Sequence, residues 1–276
     1  MDPTTVVAAR ACSSPLVSIQ IAAYDRLDPL RESVASALSQ RWQPLEVLVI
    51  DDGSAEETRD WLNDGEHRDA RLRVIRQPHA GVARARQTGL EATTAEFVCV
   101  LDSDDVLAYG AVERIMALFR EAPDLDLVYT NNLHLHPDGD SSLRRYPRFR
   151  SNRAMLLATF LHPIVPFKHS GTTYRRSVAI ELGGYDCTLP IKVDVDLFLR
   201  FLDARRQLRL LEEPLVHFRL HAASMSHRHR WEGARAWAQL VDRYWVDRPA
   251  WERVCLKAVR GSLEMAKMVY ALVQLR

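Results

Sequence analysis

Three carboxylates in four residues, Asp102, Asp104 and Asp105, stand directly after a short apolar run, Phe97-Val98-Cys99-Val100-Leu101. The run reads as a strand buried on both faces in the middle of a sheet. Its carboxyl end, where the acids stand, is where open α/β sheets bind ligands. In extended backbone, side chains at i and i+2 point the same way, so Asp102 and Asp104 can converge on one divalent cation while Ser103 faces away. Hard oxygen ligands suit Mg²⁺ or Mn²⁺. A solvated acidic turn capping a helix that begins near Val106 accounts for the same residues, and D-x-D is short enough to recur by chance. Asp51 and Asp52 end a second apolar run, LEVLVI. On residue type alone the pair reads as a D-D-G turn.

The elements that must position these acids decide between the readings. Alternating Val17, Ile19 and Ile21 predict a first strand over 16–23, followed by the loop Tyr24-Asp25-Arg26. Asp28-Pro29 reads as the N-cap and first position of a helix with Leu30, Val34, Ala37 and Leu38 on its apolar stripe. A second strand spans 45–50, and Ser54 with Glu57 makes a capping box for the next helix. A third strand at 72–75 leads through the turn at 77–81 into a helix striped with Val82, Ala85 and Leu90. The strand before the D-x-D is the fourth, a helix follows over 107–120, and 126–130 is the fifth strand. This alternation predicts a mostly parallel, doubly wound α/β sheet. Beyond Asn131 the pattern loosens into the turn at 137–140 and a basic segment, Arg144 to Arg153, read as a surface excursion near a ligand. A helix over 154–161, a strand over 170–174, a helix from Ser177 to the Gly183-Gly184 stop, a helix over 194–205, an extended stretch ending in HFRLH and two Trp-containing helices complete the chain.

Composition narrows the classes. With 276 residues, 47% hydrophobic content and a net charge of +1 from 37 basic and 36 acidic residues, the chain can bury a large core and has no global attraction for polyanions. A dedicated nucleic-acid binder is therefore not expected. Cys12, Cys99, Cys187 and Cys255 are far apart and show no C-x-x-C spacing, which suggests reduced, buried thiols in a cytoplasmic protein. The N-terminus lacks the features of a signal peptide, and no apolar run is long enough to span a bilayer. No G-x-G-x-x-G follows the first strand, where AAYDRLD stands, so a dinucleotide-dependent oxidoreductase lacks its signature. A nucleotidyltransferase would want a Gly-rich, basic loop there.

Six segments in order, VSIQIAAYDR, VLVIDDGS, HAGVARARQTGL, FVCVLDSDD, LGGYD with VDVDLFLR, and HFRLH, cover about residues 15–226. Together they resemble the family 2 glycosyltransferases, inverting, nucleotide-sugar-dependent enzymes with the GT-A fold. The resemblance implies transfer from a nucleoside diphosphate sugar, with UDP or dTDP as carrier, to a glycan, lipid-linked or small-molecule acceptor in bacterial surface polysaccharide or glycoconjugate synthesis. It divides the chain into a flexible N-terminus (1–14), a nucleotide-sugar-binding half (15–130), an acceptor-binding and catalytic half (131–226) and C-terminal helices (227–276). Core packing is the default for those helices, with a homodimer contact or a peripheral site on the inner membrane face as alternatives.

The resemblance also implies roles. Asp104 contacts Mn²⁺ or Mg²⁺ directly, Asp102 holds the ribose or the metal, and His221 beside Arg219 reaches the metal or diphosphate. Ala23, Tyr24 and Asp25 form the loop over the nucleobase, where the family has Asn in place of Asp25; Asp52, with Asp51, reads the base. Gly81 makes the tight turn before Arg86, the family's usual arginine toward the diphosphate or the D-x-D, and Ser103 completes the nucleotide set. His79 and Gln87 stand where the family commonly has Asn, and Arg84 reads as solvated. An inverting transfer needs one base, and Asp194 matches it, with Val193 in place of the usual Glu; Asp196 and Arg200 read as structural. Gly184, Tyr185 and Asp186 match the loop that shapes the acceptor site, and Gly183 reads equally as a helix-ending residue. The Val193 departure keeps a second class in view: a nucleotide-sugar-binding protein that has lost turnover.

Overall fold

A computed structural model describes residues 14–220 and 230–274. In chain order the strands are β1 (Val17–Ala23), β2 (Leu45–Asp51), β3 (Leu72–Arg76), β4 (Phe97–Val100), β5 (Val106–Leu107), β6 (Leu127–Leu135), β7 (Ser141–Arg144), β8 (Thr173–Arg175) and β9 (Leu208–Arg219). The helices are α1 (Leu27–Leu38), α2 (Glu56–Arg68), α3 (Val82–Ala92), α4 (Ala111–Glu121), α5 (Asn152–Leu161), α6 (Arg176–Glu181), α7 (Val193–Asp203), α8 (Arg230–Tyr244) and α9 (Ala250–Gln274).

The described strands join one sheet in the order β3-β2-β1-β4-β8-β6-β9-β5, with β7 paired to β6. β3, β2, β1 and β4 are parallel, as the strand–helix alternation requires. Between β4 and β6, β8 runs antiparallel to both, while β9 runs parallel to β6. The doubly wound character therefore belongs to the first half, and the second half is mixed.

β4 shows why the motif strand is continuous in apolar residues. Phe97 and Cys99 enter one hydrophobic core with α1, α2 and α4, while Val98 and Val100 enter the opposite core with α5, α7 and α8. A strand with helices on both faces has no solvent side on which to place polar residues. The strand expected at 126–130 runs on to Leu135, because its pairing with β9 resumes after an irregularity at Thr130 and Asn131. Asn131 there accepts the Tyr146 N–H and donates to the Glu212 carbonyl.

Local capping expectations fared less well. Helix α1 begins at Leu27 behind Arg26 in the left-handed region, so Asp28 lies inside its first turn. Ala55, not Ser54, caps α2; Ser54 accepts the Asp25 N–H, and Asp25 accepts the Ala55 N–H. Residues 106–107 form an edge strand against β9, which delays α4 to Ala111. Cys99 is buried, but Cys187 and Cys255 are exposed, which corrects the reading of buried thiols; Cys12 lies outside the described residues. No described helix is long and apolar enough to cross a membrane.

Candidate active site

A cleft of about 360 Å³ opens at the carboxyl ends of β1 and β4. Ala22, Arg26, Arg86, Asp102, Ser103 and Asp104 line its sheet side. The facing wall comes from the segment before β8, the start of α7 and Phe218 of β9, and it carries Asp194. Asp102, Asp104 and Asp194 thus share one cavity, although Asp194 lies some ninety positions further along the chain.

Each acid is held by local structure. Past β4 the chain bends into a turn closed by the Asp105 N–H on the Asp102 carbonyl at 3.0 Å. The extended-strand geometry expected for D-x-D is therefore lost, and Ser103 lines the cleft beside its neighbours rather than facing away. Asp102 accepts a hydrogen bond of 2.7 Å from Arg86 Nη2, and Asp104 pairs with Arg26. Burial opposes the charge on Asp102, but Arg86 outweighs it and holds the carboxyl below its ordinary range. Asp105 turns inward instead: burial, then the charges of Asp102 and Asp104, push it up to about 8, and its Oδ2 has no hydrogen-bond partner. Arg26 and Asp25 both adopt left-handed backbone, at φ 58° and 52°, a strain tolerated mainly beside ligand sites.

Asp194 is the second residue of α7, whose N-cap is Lys192. Burial works against its ionisation. The positive charge of Arg86 and Lys192, with that of His169 whenever its ring is protonated, more than offsets this and holds the carboxyl below its ordinary value. The helix N-terminus favours the same charge. Asp196, two residues on, is fully buried and bonded to Arg200 and Arg243, each at 2.6 Å, and to Tyr244 Oη at 3.0 Å. The structural reading of Asp196 and Arg200 holds.

Other expected residues stand behind the cleft rather than in it. Asp52 accepts from Gln77 Nε2, Ala80 N–H and Gly81 N–H and faces His79 Nδ1 at 2.9 Å. Four such neighbours fill the acceptor positions of a carboxylate, so Asp52 is spent on the 77–81 turn in this conformation. Asp51 likewise accepts the Ser54 N–H. Tyr24, 49% exposed, stacks on His79 with ring centres 4.1 Å apart. Neither these residues nor Ala23, Asp25 and Gly81 are among those lining the cleft. Gly184, Tyr185 and Asp186 are not either. Gly184, at φ 66°, lets the loop approach Gln87, which accepts the Tyr185 N–H; a Cβ there would meet Gln87 Oε1 at 2.2 Å. Asp186 accepts from Thr188 and from Arg243. His221 lies outside the described residues. The basic segment also misses the cleft: Arg148 pairs with Glu212, and Arg144 sits over the Tyr146 ring.

Sequence reasoning passed over Arg26, Lys168, His169 and Lys192. His169, 4% exposed, bonds through Nε2 to Tyr185 Oη at 2.9 Å, which meets Tyr174 Oη at 2.9 Å. No periodicity marks a histidine between a loop and a short strand, so nothing local distinguished it from the other nine. Burial, then Arg86, push its ring down to about 4. An unfolded imidazole titrates near 6.5. Between those values the unfolded chain binds a proton that the folded protein refuses, so stability falls as pH drops through that window. Urea unfolding is expected to show a loss of about 2 kcal/mol from pH 7 to pH 5 due to this ring. His169→Gln should flatten that slope, and an unchanged slope in the variant would assign the loss elsewhere.

Comparison with known proteins agrees with this architecture. The family described as "Glycosyl transferase family 2" matches residues 18–183. The chain is 32% identical over 188 residues to a chondroitin synthase of Pasteurella multocida (strain Pm70), covering 67% of this chain and 19% of that protein. It is 33% identical over 245 residues to a pre-mycofactocin glycosyltransferase of Mycobacterium tuberculosis (strain CDC 1551 / Oshkosh), covering 85% of this chain and 45% of that protein. The chain therefore spans less than half the length of either relative. Among solved structures, S. aureus TarS 1–349 in complex with UDP-GlcNAc superposes with a TM-score of 0.65 at 15% identity, over 91% of this chain and 72% of that one. A mannosyltransferase from Pyrobaculum calidifontis in complex with GDP-Man and Mn²⁺ gives 0.60 at 16% identity, over 90% and 70%. The shared fold is that of the GT-A glycosyltransferases. With the family match running from β1 through the D-x-D turn to the end of α6, over more than half its length, the chain belongs to glycosyl transferase family 2.

Proposed function

We propose that the protein transfers a sugar, with inversion, from a nucleoside diphosphate sugar to an acceptor hydroxyl. The observation that carries this reading is the shared cleft: the D-x-D carboxylates line one side and the Asp194 carboxylate the other. Asp194 is the base. It takes the proton of the acceptor hydroxyl as that oxygen bonds to the anomeric carbon. On the opposite face the bond from that carbon to the diphosphate oxygen breaks, and the diphosphate leaves with the electron pair. Arg86 and Arg26, already set against the D-x-D carboxylates, lie where the leaving charge develops and stabilise it.

Asp102 and Asp104 present hard oxygen donors to the cleft, which fits Mg²⁺ or Mn²⁺. Among the described residues, no three His, Cys, Asp or Glu side chains gather around one point. That also fits, because such ions are commonly held by one or two carboxylates and completed by substrate phosphates. Bound there, the ion would act as a Lewis acid toward the diphosphate. The exposed Tyr24 ring, stacked on a His79 that Asp52 holds, supplies a face for a nucleobase. Asp52 thereby acts as the support of that platform. UDP or dTDP is the proposed carrier, in line with the UDP-GlcNAc in TarS. The relatives named for chondroitin and pre-mycofactocin support glycan or glycoconjugate assembly as the setting.

A thermal-shift series with UDP, dTDP, GDP and NAD, each with and without Mn²⁺, tests the reading. Ligand at a hundredfold its Kd adds about 2.7 kcal/mol, or about 5–10 °C in a chain of this size. The expected result is stabilisation by a uridine or thymidine diphosphate that needs the metal. Stabilisation by NAD alone would refute it.

A further inference from the structure

The facing wall of the cleft differs in chemistry from the sheet side. Around Asp194 it is built from Val165, Phe167, Ile191, Val193, Val195 and Phe218. Apart from Asp194, its polar side chains among the described residues are Lys168 and Lys192, with no Ser, Thr, Asn, Gln, Tyr, His or Glu between them. The Lys168 ammonium rests 3.5 Å from the centre of the Phe218 ring, and the Phe167 ring stacks on Phe198 with centres 3.6 Å apart. The aromatic surfaces are thus held rigidly. Val193, 1% exposed, lines the cleft directly before the base. Leu161 at the end of α5 and Ile164 in the loop that supplies Val165 are exposed at 54% and 45%, so apolar surface continues along that segment.

A sugar acceptor brings several hydroxyls besides the one that reacts, and each loses water on entering. Every hydroxyl left without a partner opposes binding by the full cost of its desolvation. Lysines donate only, and one carboxylate committed to the reacting hydroxyl cannot serve the rest. Apolar surface, by contrast, gains on the same wall in proportion to the area it removes from water.

We infer that the acceptor is an alcohol or phenol on an apolar body, aryl or alkyl, and not an unsubstituted sugar. The inference rests on the glycosyltransferase reading above and specifies its second substrate. The reacting oxygen bonds to the anomeric carbon, its proton passes to Asp194 and the diphosphate departs with the electron pair, so the apolar body needs no chemistry of its own.

Calorimetry on the full chain loaded with UDP and Mn²⁺ tests it, with 4-nitrobenzyl alcohol, decanol and methyl β-glucopyranoside as probes. Either apolar probe is expected to bind at least tenfold more tightly than the glycoside. Preference for the aryl probe identifies an aromatic acceptor, and preference for decanol a lipid one. Val165→Asn, at a partly exposed position, should weaken the favoured probe about fivefold. Val193→Glu should weaken it further and, where it folds, improve the glycoside. Equal or tighter binding of the glycoside overturns the inference, as does a favoured probe that ignores Val165→Asn. Donor hydrolysis, followed separately as UDP release, reports on the reaction, so the acceptor class and the activity can fail independently.

Discussion

Asp194→Asn is expected to lower transfer about a thousandfold while the folded protein and its nucleotide affinity survive. A positioned general base contributes about 10²–10⁴ in rate, and asparagine keeps the shape of the side chain without a site for the acceptor proton. Stability should hold because, among the described residues, no hydrogen bond to the Asp194 carboxylate ties elements of the fold together; its influence on Arg86 is electrostatic. The pH profile gives a second reading of the same group. Its carboxyl is held below the ordinary value, so the wild-type rate should stay level through mildly acid pH and fall only as Asp194 protonates. Turnover assays with thermal melts on both proteins check this. A variant that keeps more than a tenth of wild-type activity would exclude Asp194 as the base, and loss of activity together with the melting transition would make its role structural.

Asp196→Ala should do the reverse, destabilising the fold before any question of chemistry arises. Its carboxylate is sealed from solvent and joins α7 to α8 through Arg200, Arg243 and Tyr244, and Arg243 extends the link to Asp186. Arg243 is 41% exposed and keeps Asp186, so the uncompensated charge is mainly that of Arg200, and the cost is expected at the lower end of what breaking a buried ion pair takes, about 3 kcal/mol. For a chain of this size that corresponds to a fall in Tm of about 10 °C. Chemical denaturation of wild type, Asp196→Ala and Asp194→Asn in parallel distinguishes the two aspartates. Similar small losses in both would mean that the Arg243 network contributes little.

These paired expectations show where the sequence was legible. Periodicity located β1, β2, β4 and α3 to within a few residues, because strands and helices covered on their inner faces carry that burial in local spacing. The D-x-D acids and Arg86 could be marked from motif order, and they meet in the cleft. Capping was less readable. Asp28 and Ser54 have the right residue types, but Ser54 and Asp25 are bonded to each other's loops across the sheet edge, a contact no local pattern contains. His169 and Lys168 gave no local signal, since their importance comes from what they face.

Residue type and spacing alone determined the strand–helix rhythm, the acids at two strand ends and the fact that Asp194 and Asp196, about 200° apart on a helix, must face different ways. Which of the two faces the cleft was decided by tertiary structure. Helix α8, arriving from some fifty residues downstream, brings Arg243 and Tyr244 onto Asp196 and leaves Asp194 to the cavity. The same holds for Asp52, which packing of the 77–81 turn converts from an open carboxylate into a loop anchor. Burial and partner choice depend on segments far apart in the chain, and they become definite only once the sheet has closed around them.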